Sequence, residues 1–576
     1  MPTFELEVTG ELLRRRVPIP MRDGTVLRAT VYRPNDDKRH SVLLVRTPYG
    51  EALTRTVPVQ PALDGGFAVV IQDCRGTGES DGDFVPFASE ADDGVDTIAW
   101  CAAQPWSDGT VGMYGSSYQG MVQLAAAGRA PDALKGLLPS MTPDDYHSGL
   151  FTSGGAIELG MSLFWYALKS EQTLEHRARG GEDVSPLLSE LAGLSADPQA
   201  PYDALPIRDS VVGRVIPAWW RWNDHEARDE FWDAQSYADQ RSAMTTPALH
   251  VGGWFDLFIT GTVDNYVTLT DRAATAHARR NQRLVVGPWT HVDQTGAAGE
   301  LFFGRGADAT VIGLERQQLA FLRRVVAGDD APDGPRVRIF VMGHNVWRDE
   351  EAWPLARTRY TPWYLHAGGR LSPEKPASAA RPSIYTYDPR DPVPTVGGQT
   401  LMSGGSDGGQ AWQPGPRDQR VLDGRTDVLT FTSEVLAEDV EVAGQATVTL
   451  SASTSVTDTD FTAKLIDVWP DGRAMGVVDG IVRARFRHSV ETPEPVTPGK
   501  IESYVIRLAP TSQVFKAGHR IRLDVSSSNF PRYDRNSNSG KAAGSVTSAD
   551  FVVAVQTVHH AADHPSFVVL PIIPES

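Results

Sequence analysis

Apolar residues in the first quarter of the chain come in short runs that end at turn residues. Three of these runs are rich in β-branched residues, which is typical of buried strands in a parallel sheet. They predict strands at 41–50 (SVLLVRTPYG), 67–76 (FAVVIQDCRG) and 110–115 (TVGMYG).

Segments with a helical period lie beside these strands. In 90–106, Val95, Ile98 and Ala102 recur at helical spacing, and acidic residues occupy the first turn. Residues 117–129 (SYQGMVQLAAAGR) are rich in good helix formers and have a glycine near their end. Strands that alternate with helices in this way predict a parallel α/β sheet.

The pattern changes after about residue 145. Residues 156–240 carry helical stretches with many tryptophans and no convincing strand pattern. Strand patterns return at 246–256 and 282–291, and a helical pattern follows at 313–328. We interpret the middle part as a helical insertion that splits one α/β domain.

From about residue 353 onward, short β-branched segments alternate with Gly, Pro and Asp. This texture predicts an all-β sandwich or jelly roll, and the Pro- and Gly-rich stretch 382–416 predicts a long irregular connection. The predicted divisions are a split α/β domain, a helical insertion and a β domain, at 1–145 with 243–353, 146–242 and 354–576.

Composition and charge narrow the range of functions. With 576 residues, 41% of them hydrophobic and 9% aromatic, the chain can build several cores. A formal charge of −18 without an evident Lys/Arg cluster argues against nucleic-acid binding. No stretch approaches the roughly 20 apolar residues of a membrane span, and the first residues lack a signal-peptide pattern. We therefore expect a cytoplasmic protein with no nucleic-acid or membrane partner.

The chain contains two cysteines, Cys74 and Cys101, and each lies in an apolar segment. A free cysteine packs as a small hydrophobic residue, so buried free thiols are the favoured interpretation. A disulfide between them stays open at this point.

One short stretch, MYGSSYQG, has the character of the turn that presents a catalytic serine between a strand and a helix. The motif for that turn is G-x-S-x-G. Centred on Ser117, the first glycine is Gly115, but Gln119 occupies the second glycine's place and Gly120 follows one residue late. Centred on Ser116, both glycines are missing. A helix N-cap is the competing interpretation, because serine is common at that position.

Two later residues can complete a serine-hydrolase triad with Ser117. Asp256 ends ALHVGGWFD and His291 ends RLVVGPWTH, so both lie at the carboxyl ends of predicted strands, where α/β sheets bind ligands. The order nucleophile, acid, base is that of α/β-hydrolases, and the helical insertion falls between the first two. Asp293 competes for the role of the acid, but it follows the histidine and breaks the order.

Several longer stretches match a known family, and they span nearly the whole chain except the helical insertion. They are IPMRDGTVLRATVYRP, LLVRTPYG, VIQDCRGTGESDGDF, VGMYGSSYQG, GGWFD, VVGPWTH, DTDFTAKLIDVWPDGRA and GHRIRLDVSSSNFPRYDRN. On these stretches the sequence resembles the cocaine esterase-like branch of the CocE/NonD hydrolases, which are related to X-prolyl dipeptidyl peptidases and α-amino acid ester hydrolases. The resemblance implies an α/β-hydrolase fold with an inserted helical cap and a C-terminal β jelly-roll domain.

The resemblance also explains the spelling of the turn. The family's version is commonly written G-x-S-Y-x-G, which Gly115, Ser117 and Gly120 satisfy. By this resemblance Ser117 is the nucleophile, Asp256 the acid and His291 the base.

Further site residues are implied by the resemblance alone. The family completes its oxyanion hole with a tyrosine hydroxyl from a P-Y motif, here Tyr49, and the second donor is the backbone N–H of Tyr118. Trp165 and Phe258 match positions where the resembling esterases line the acyl pocket with aromatic rings. Leu150 falls where they carry another aromatic residue, so the substrate need not be the same.

These assignments predict a serine carboxylesterase that hydrolyses small-molecule esters with bulky or aromatic acyl groups, without a cofactor or a metal. The alternative is an X-prolyl dipeptidyl peptidase or an α-amino acid ester hydrolase. Such enzymes would use the same triad and recognise a substrate ammonium with carboxylates at the pocket mouth. A non-enzymatic alternative is a carbohydrate- or partner-binding module built on the jelly roll. A homodimer is the assembly that we consider for the chain.

Overall fold

The computed structural model describes residues 6–9, 12–50, 59–196, 199–330, 333–401 and 413–574. The described strands are β1 (Leu6–Thr9), β2 (Leu12–Pro20), β3 (Val26–Pro34), β4 (His40–Thr47), β5 (Ala68–Asp73), β6 (Ser107–Ser116), β7 (Leu134–Ser140), β8 (Thr152–Ser153), β9 (Ala156–Ile157), β10 (Leu249–Phe255), β11 (Arg283–Thr290), β12 (Ala297–Ala298), β13 (Leu301–Phe302), β14 (Val337–Val341), β15 (Val346–Glu350), β16 (Arg359–His366), β17 (Arg370–Ser372), β18 (Ser383–Tyr387), β19 (Leu429–Thr432), β20 (Val440–Thr454), β21 (Asp460–Val468), β22 (Ala474–Arg483), β23 (Glu502–Phe515), β24 (Arg520–Ser526), β25 (Ala554–Val558) and β26 (Phe567–Ile573).

The described α-helices all lie between β4 and β14. They are α1 (Val59–Asp64), α2 (Glu90–Ala102), α3 (Tyr118–Ala127), α4 (Leu159–Arg179), α5 (Ser185–Ala196), α6 (Ala200–Asp203), α7 (Val211–Val215), α8 (Ala218–Asp224), α9 (Glu230–Asp233), α10 (Ile259–Arg272), α11 (Ala276–Arg280) and α12 (Leu314–Leu322).

The first sheet runs in the order β1-β2-β3-β5-β4-β6-β7-β10-β11-β14-β15. Neighbours from β5 through β14 are parallel, as the α/β prediction requires. The pairs at both edges are antiparallel. Every residue of β4 and β5 is buried, which explains their uninterrupted apolar runs. Two outer strands, β2 beside the edge strand β1 and the edge strand β15, are mostly half-buried or exposed, so the hydrophobic pattern does not reveal them.

Helix α3 packs behind the turn that carries the two serines, and all ten of its residues are buried. Its polar side chain Gln123 joins it to the sheet, because Nε2 donates to the Leu138 carbonyl at 3.2 Å and the Leu138 N–H donates to Oε1 at 3.0 Å. This reciprocal pair satisfies a buried amide and fixes α3 against β7.

Helices α4 to α9 form the predicted insertion between β7 and β10. Three of their tryptophans, Trp219, Trp222 and Trp232, are buried and pack in its core. The insertion also contains the two-residue strands β8 and β9, which pair with each other, so the prediction of no strand in 156–240 is wrong for β9. A strand of two residues is too short to leave a periodic pattern.

The hairpin of β8 and β9 docks the insertion on the β domain. The Ile157 N–H donates to Asp534 Oδ1 at 2.7 Å, and the Arg483 N–H donates to the Gly154 carbonyl at 2.8 Å. The Arg483 guanidinium in turn contacts the carboxylates of Asp460 at 2.9 Å and Asp534 at 2.8 Å. Asp460 and Asp534 therefore both form ion pairs with Arg483.

The β domain is built from the order β18-β25-β20-β26-β16-β17-β19-β24-β21-β22, with β23 paired to β20. It is a strand-rich, jelly-roll-like domain, as predicted. Alternate residues of the long strand β20 are buried, among them Val448 and Leu450, which pack with Leu523 and Leu570 in one core.

The prediction that 382–416 is wholly irregular is wrong, because β18 lies inside it and pairs with β25. Only Tyr385 and Tyr387 of this edge strand are buried, so it leaves a short alternating pattern among prolines and glycines. Residues 402–412 of the same stretch lie outside the described residues. The boundaries 1–145 with 243–353, 146–242 and 354–576 stay predictions.

Cys74 and Cys101 are both buried and free, which confirms the interpretation as packed thiols. Among the described helices, none combines the length and the apolar character that crossing a membrane requires.

Candidate active site

Ser117 lies in the sharp turn between β6 and α3. Its backbone φ is +59° and its ψ is −125°, a left-handed conformation that is costly for a residue with a side chain. Such a strained turn is the conformation that exposes a nucleophilic serine at the edge of an α/β sheet. Ser116 is the last residue of β6. Ser117 occupies the N-cap position of α3, but its side chain makes no capping hydrogen bond, so capping does not account for the serine there.

The two glycines of the turn have different physical reasons. Gly115 has a φ of +141°, and a Cβ there would lie 2.5 Å from the Cβ of Gln119. A Cβ on Gly120 would lie 2.2 Å from Thr142 Cγ2, just past the end of β7. Helix α3 and the segment after β7 therefore approach each other closely at Gly120, one residue later than the second glycine of G-x-S-x-G. Gln119 occupies the position that this glycine has in the motif.

Asp256 and His291 follow the neighbouring parallel strands β10 and β11. His291 Nδ1 lies 2.6 Å from Asp256 Oδ1, and Asp256 is fully buried. Because the carboxylate faces Nδ1, that nitrogen carries the proton and Nε2 is left as the acceptor. Asp293 instead stabilises its own turn, since its Oδ1 accepts from the Thr295 N–H at 2.8 Å.

Ser117, His291 and Tyr49 line one open cavity of about 630 Å³. No hydrogen bond joins the Ser117 hydroxyl to the His291 ring among the described contacts. Hydrogen bonds of this kind are often long in unliganded enzymes and tighten when substrate binds. The side chains predicted as nucleophile, base and oxyanion donor thus share one space, and the predicted acid contacts the base from behind.

Tyr49 lies two residues beyond the end of β4, with its ring half-buried. Its hydroxyl accepts a hydrogen bond of 3.1 Å from Trp165 Nε1. Burial raises the pKa of Tyr49 to about 12, and the hydrogen bonds with Trp165 and Ser117 act in the opposite direction. A hydroxyl with this pKa stays protonated at neutral pH and can donate to a developing oxyanion.

Tyr118 contributes in two ways. As the first residue of α3, its N–H has no intrahelical acceptor and is available at the turn. Its ring is buried, and its hydroxyl donates to Glu90 Oε1 at 2.7 Å. Glu90 also pairs with the fully buried guanidinium of Arg46 at 2.8 Å. Glu90 of α2 and Arg46 thus stabilise the turn at Ser117 through the Tyr118 hydroxyl, and the sequence did not predict this contact.

A second, narrow cavity of about 20 Å³ is also lined by Ser117. The three predicted pocket residues, Trp165, Phe258 and Leu150, line it. The Phe258 ring lies edge-on to the His291 ring, with 5.4 Å between the centroids. These predicted residues are therefore brought together beside the serine.

Phe87 also lines this cavity and was missed by sequence reasoning. Its φ is +66°, and its ring stacks on Tyr118 with 4.7 Å and on Tyr146 with 4.3 Å between centroids. Its N–H donates to the Tyr118 hydroxyl at 3.3 Å. A phenylalanine in a left-handed conformation follows no motif, and the sequence carries no signal that could have found it.

No cluster of three or more His, Cys, Asp or Glu side chains with metal-binding geometry occurs in the described parts of the chain. Asp458 of the β domain pairs with Arg485 at 2.7 Å.

Comparisons with known proteins bear on this arrangement. Residues 23–293 match the model of the X-Pro dipeptidyl-peptidase (S15) family, and residues 330–569 match that of the X-Pro dipeptidyl-peptidase C-terminal non-catalytic domain. The chain is 39% identical over 577 aligned residues to cocaine esterase from Rhodococcus sp. (strain MB1 Bresler), which covers 97% of this chain and 98% of the relative.

Two solved structures share the whole architecture. An aminopeptidase from a marine sediment Thaumarchaeota archaeon is 27% identical, with a TM-score of 0.84 over 100% of this chain and 99% of the other. A selenomethionine-labelled α-amino acid ester hydrolase is 29% identical, with a TM-score of 0.83 over 99% of this chain and 98% of the other. With this fold and this relationship along its full length, the chain belongs to the CocE/NonD family of serine hydrolases.

Proposed function

We propose that the enzyme is a serine carboxylesterase that hydrolyses small-molecule esters through an acyl-enzyme on Ser117. The observation that carries the proposal is the strained Ser117 turn, which opens into the same cavity as His291, whose Nδ1 is 2.6 Å from Asp256. The 39% identity to a cocaine esterase supports ester chemistry over other reactions of serine hydrolases.

The roles follow from the contacts. His291 Nε2 accepts the proton of the Ser117 hydroxyl as the oxygen attacks the ester carbonyl, and Asp256 holds the ring in the required tautomer. The carbonyl oxygen becomes an oxyanion, which the Tyr49 hydroxyl and the Tyr118 N–H stabilise. His291 then gives its proton to the leaving alcohol. Water attacks the acyl-enzyme by the same route and releases the acid.

The lining of the narrow cavity supports a neutral acyl group. Among its described lining residues none carries a carboxylate, and most are aromatic or aliphatic. A site that recognises a substrate ammonium needs such a carboxylate, because an unpaired charge in an apolar pocket is costly. The acyl group is therefore expected to be apolar and free of charge.

Bulky or aromatic acyl groups form part of the proposal. The rings of Phe87, Trp165 and Phe258 offer stacking surfaces to such a group. About 20 Å³ holds roughly one water molecule, so a bulky group enters only if these rings separate. A series of p-nitrophenyl esters from acetate to benzoate tests this, and kcat/KM rising with acyl size is the expected result. A strict preference for acetate would overturn this part.

The alternative is an X-prolyl dipeptidyl peptidase or an α-amino acid ester hydrolase. It is supported by the matched family model, which is that of a peptidase, and by the two solved structures, an aminopeptidase and an α-amino acid ester hydrolase. Glu315 is a carboxylate on the lining of the larger cavity, where an ammonium could reach it. Aryl esters compared with aminoacyl-prolyl anilides separate the two. We expect kcat/KM to favour the esters at least 100-fold, and a preference for the anilides would establish the alternative.

The proposal includes a cytoplasmic location and a homodimer. Two buried thiols that stay unpaired are usual in a reducing compartment, which supports the cytoplasmic location.

The homodimer is tested by light scattering after gel filtration. A mass near 125 kDa, about twice the 62.6 kDa of one chain, is the expected result. A mass near that of one chain would contradict the dimer.

A further inference from the structure

A fully buried lysine lies directly behind the proposed oxyanion donor. Lys169 on α4 is 0% exposed, and its ammonium donates to the Pro48 carbonyl and, at 2.7 Å, to Gln172 Oε1. The same Nζ lies 5.5 Å from the ring centroid of Tyr49 and 4.7 Å from that of Phe84. One side chain therefore contacts the backbone immediately before Tyr49 and the face of its ring.

The surroundings of Lys169 are unusual for a buried cation. Lysines are seldom fully buried unless they are paired, and the ion pairs of the described residues include none for Lys169. Burial lowers its pKa to about 7, with Cys74 and Asp73 acting in the opposite direction. A costly buried group of this kind, adjacent to an active site, is a candidate for a functional role.

We propose that Lys169 is a positioning residue for the oxyanion hole, which holds Tyr49 through the Pro48 carbonyl and adds a positive charge behind its ring. The inference rests on the proposed function, because it concerns the donor that this function assigns to Tyr49. Lys169 touches neither the serine nor the expected substrate position, so it acts through Tyr49.

The physical effect concerns the transition state. Negative charge grows on the carbonyl oxygen, and the Tyr49 hydroxyl must point at it without reorganising. Anchoring Pro48 fixes the backbone from which the Tyr49 ring projects. A cation in this water-poor region also favours the developing negative charge more than it would in bulk water. Both effects are stronger in the transition state than in the bound substrate, so they change kcat more than KM.

The charged neighbours of Lys169 define how it titrates. Asp73 and Cys74, at the end of β5, face it from the sheet. Asp73 is itself bound by Arg16 of β2. Beyond Cys74 lies Glu90, which pairs with the buried Arg46 described above. None of these groups forms a direct ion pair with Lys169, so its own proton sets the charge behind Tyr49.

The test compares Lys169→Met with Lys464→Met on a p-nitrophenyl ester. Lys464 is the control, because it is a half-buried lysine of the β domain that donates to Gln419 Oε1 at 2.8 Å, and desolvation lowers its pKa as well. We expect Lys169→Met to lower kcat by about 10-fold or more with KM changed by less than about two-fold, the pattern of a weakened oxyanion hole. Lys464→Met should leave both constants within about two-fold.

Two further measurements separate positioning from general damage. In the Tyr49→Phe background, Lys169→Met should cost less than about two-fold more, because the residue acts through the hydroxyl that is already gone. In the wild type, kcat should fall as the pH rises through about 7, and Lys169→Met should lack that fall. Additive losses in the double variant, or an identical pH profile in both proteins, would overturn the inference.

Failure of this inference can be told apart from failure of the proposed function. If Ser117→Ala is inactive and a fluorophosphonate labels Ser117 in Lys169→Met, the serine mechanism is supported. The kcat of Lys169→Met then decides the role of Lys169 by itself. If the wild type turns over no ester, both fall together.

Discussion

The indole Nε1 of Trp165 donates a hydrogen bond of 3.1 Å to the hydroxyl of Tyr49. Trp165 belongs to α4 of the helical insertion, and Tyr49 follows β4 of the sheet. The insertion therefore reaches into the proposed oxyanion hole, and the same ring forms a wall of both cavities. Trp165 of the helical insertion therefore lines the predicted acyl pocket and also holds the Tyr49 hydroxyl by a hydrogen bond.

Trp165→Phe removes that hydrogen bond and keeps an aromatic ring. A neutral hydrogen bond contributes about 1 kcal/mol, so kcat should fall by about five-fold. Steady-state kinetics on an aryl ester measures it. Trp220→Phe is the control, since Trp220 lies in the same insertion and lines neither cavity. An unchanged kcat in Trp165→Phe would mean that Tyr49 is oriented without the indole.

Tyr49→Phe removes the proposed side-chain donor of the oxyanion hole. We expect kcat to fall by about 10²–10³ with little change in KM, as for other single oxyanion donors. Tyr385→Phe serves as the control, because it also loses one hydrogen bond of a buried tyrosine, the 2.9 Å contact with Ser527 in the β domain. Equal kinetics for the two variants would remove Tyr49 from the mechanism.

Gly120→Ala places a Cβ 2.2 Å from Thr142 Cγ2, an overlap that forces the helix away from the sheet. Overpacking of this kind costs about 1–3 kcal/mol, so the melting temperature should fall. Adding Thr142→Ser removes the Cγ2 and should recover part of the loss. Gly193→Ala is the control, with no described atom within 4 Å of its Cβ, and should be neutral or slightly stabilising. A Gly120→Ala protein as stable as the wild type would contradict the close approach.

Lys169 also predicts how stability depends on pH. Its pKa is about 7 in the folded protein, below the ordinary 10.5, so between these values the unfolded chain binds a proton that the folded one does not. Stability from this group therefore rises with pH through that window, and the full cost of the buried charge is present below about pH 7. The change in melting temperature on Lys169→Met should be more favourable at pH 6 than at pH 9.

The control for this titration is Lys135→Met, an exposed lysine whose replacement should have the same effect at both pH values. A change on Lys169→Met that is equally large at pH 6 and pH 9 would show that the buried amine keeps its ordinary pKa.

The sequence predicted those parts of the site that local patterns encode. Asp256 and His291 end buried parallel strands, which are continuous apolar runs, so their positions could be read directly. The oxyanion role of Tyr49 came only from the family resemblance, because an isolated tyrosine after a strand has no distinctive pattern. The outer strands β2 and β15 were missed, since half-buried strands do not form apolar runs.

Other features depend on tertiary structure and leave no local signal. Phe87 has a left-handed conformation and stacks on neighbouring rings, and no turn motif in the sequence marks it. Lys169 lies in a helix where a lysine would ordinarily face water, and only the packing of α4 against the turn after β4 buries it. The reason for Gly120 became visible only with the position of Thr142 across the sheet.

The most direct test of the account maps the nucleophile. The wild type, Ser116→Ala and Ser117→Ala are each treated with a fluorophosphonate, digested and analysed by mass spectrometry, with ester turnover measured on the same samples. We expect the adduct on Ser117 in the wild type and in Ser116→Ala, with turnover largely kept in the latter, and neither adduct nor turnover in Ser117→Ala. An adduct on Ser116, or ester turnover that survives Ser117→Ala, would contradict the central claim.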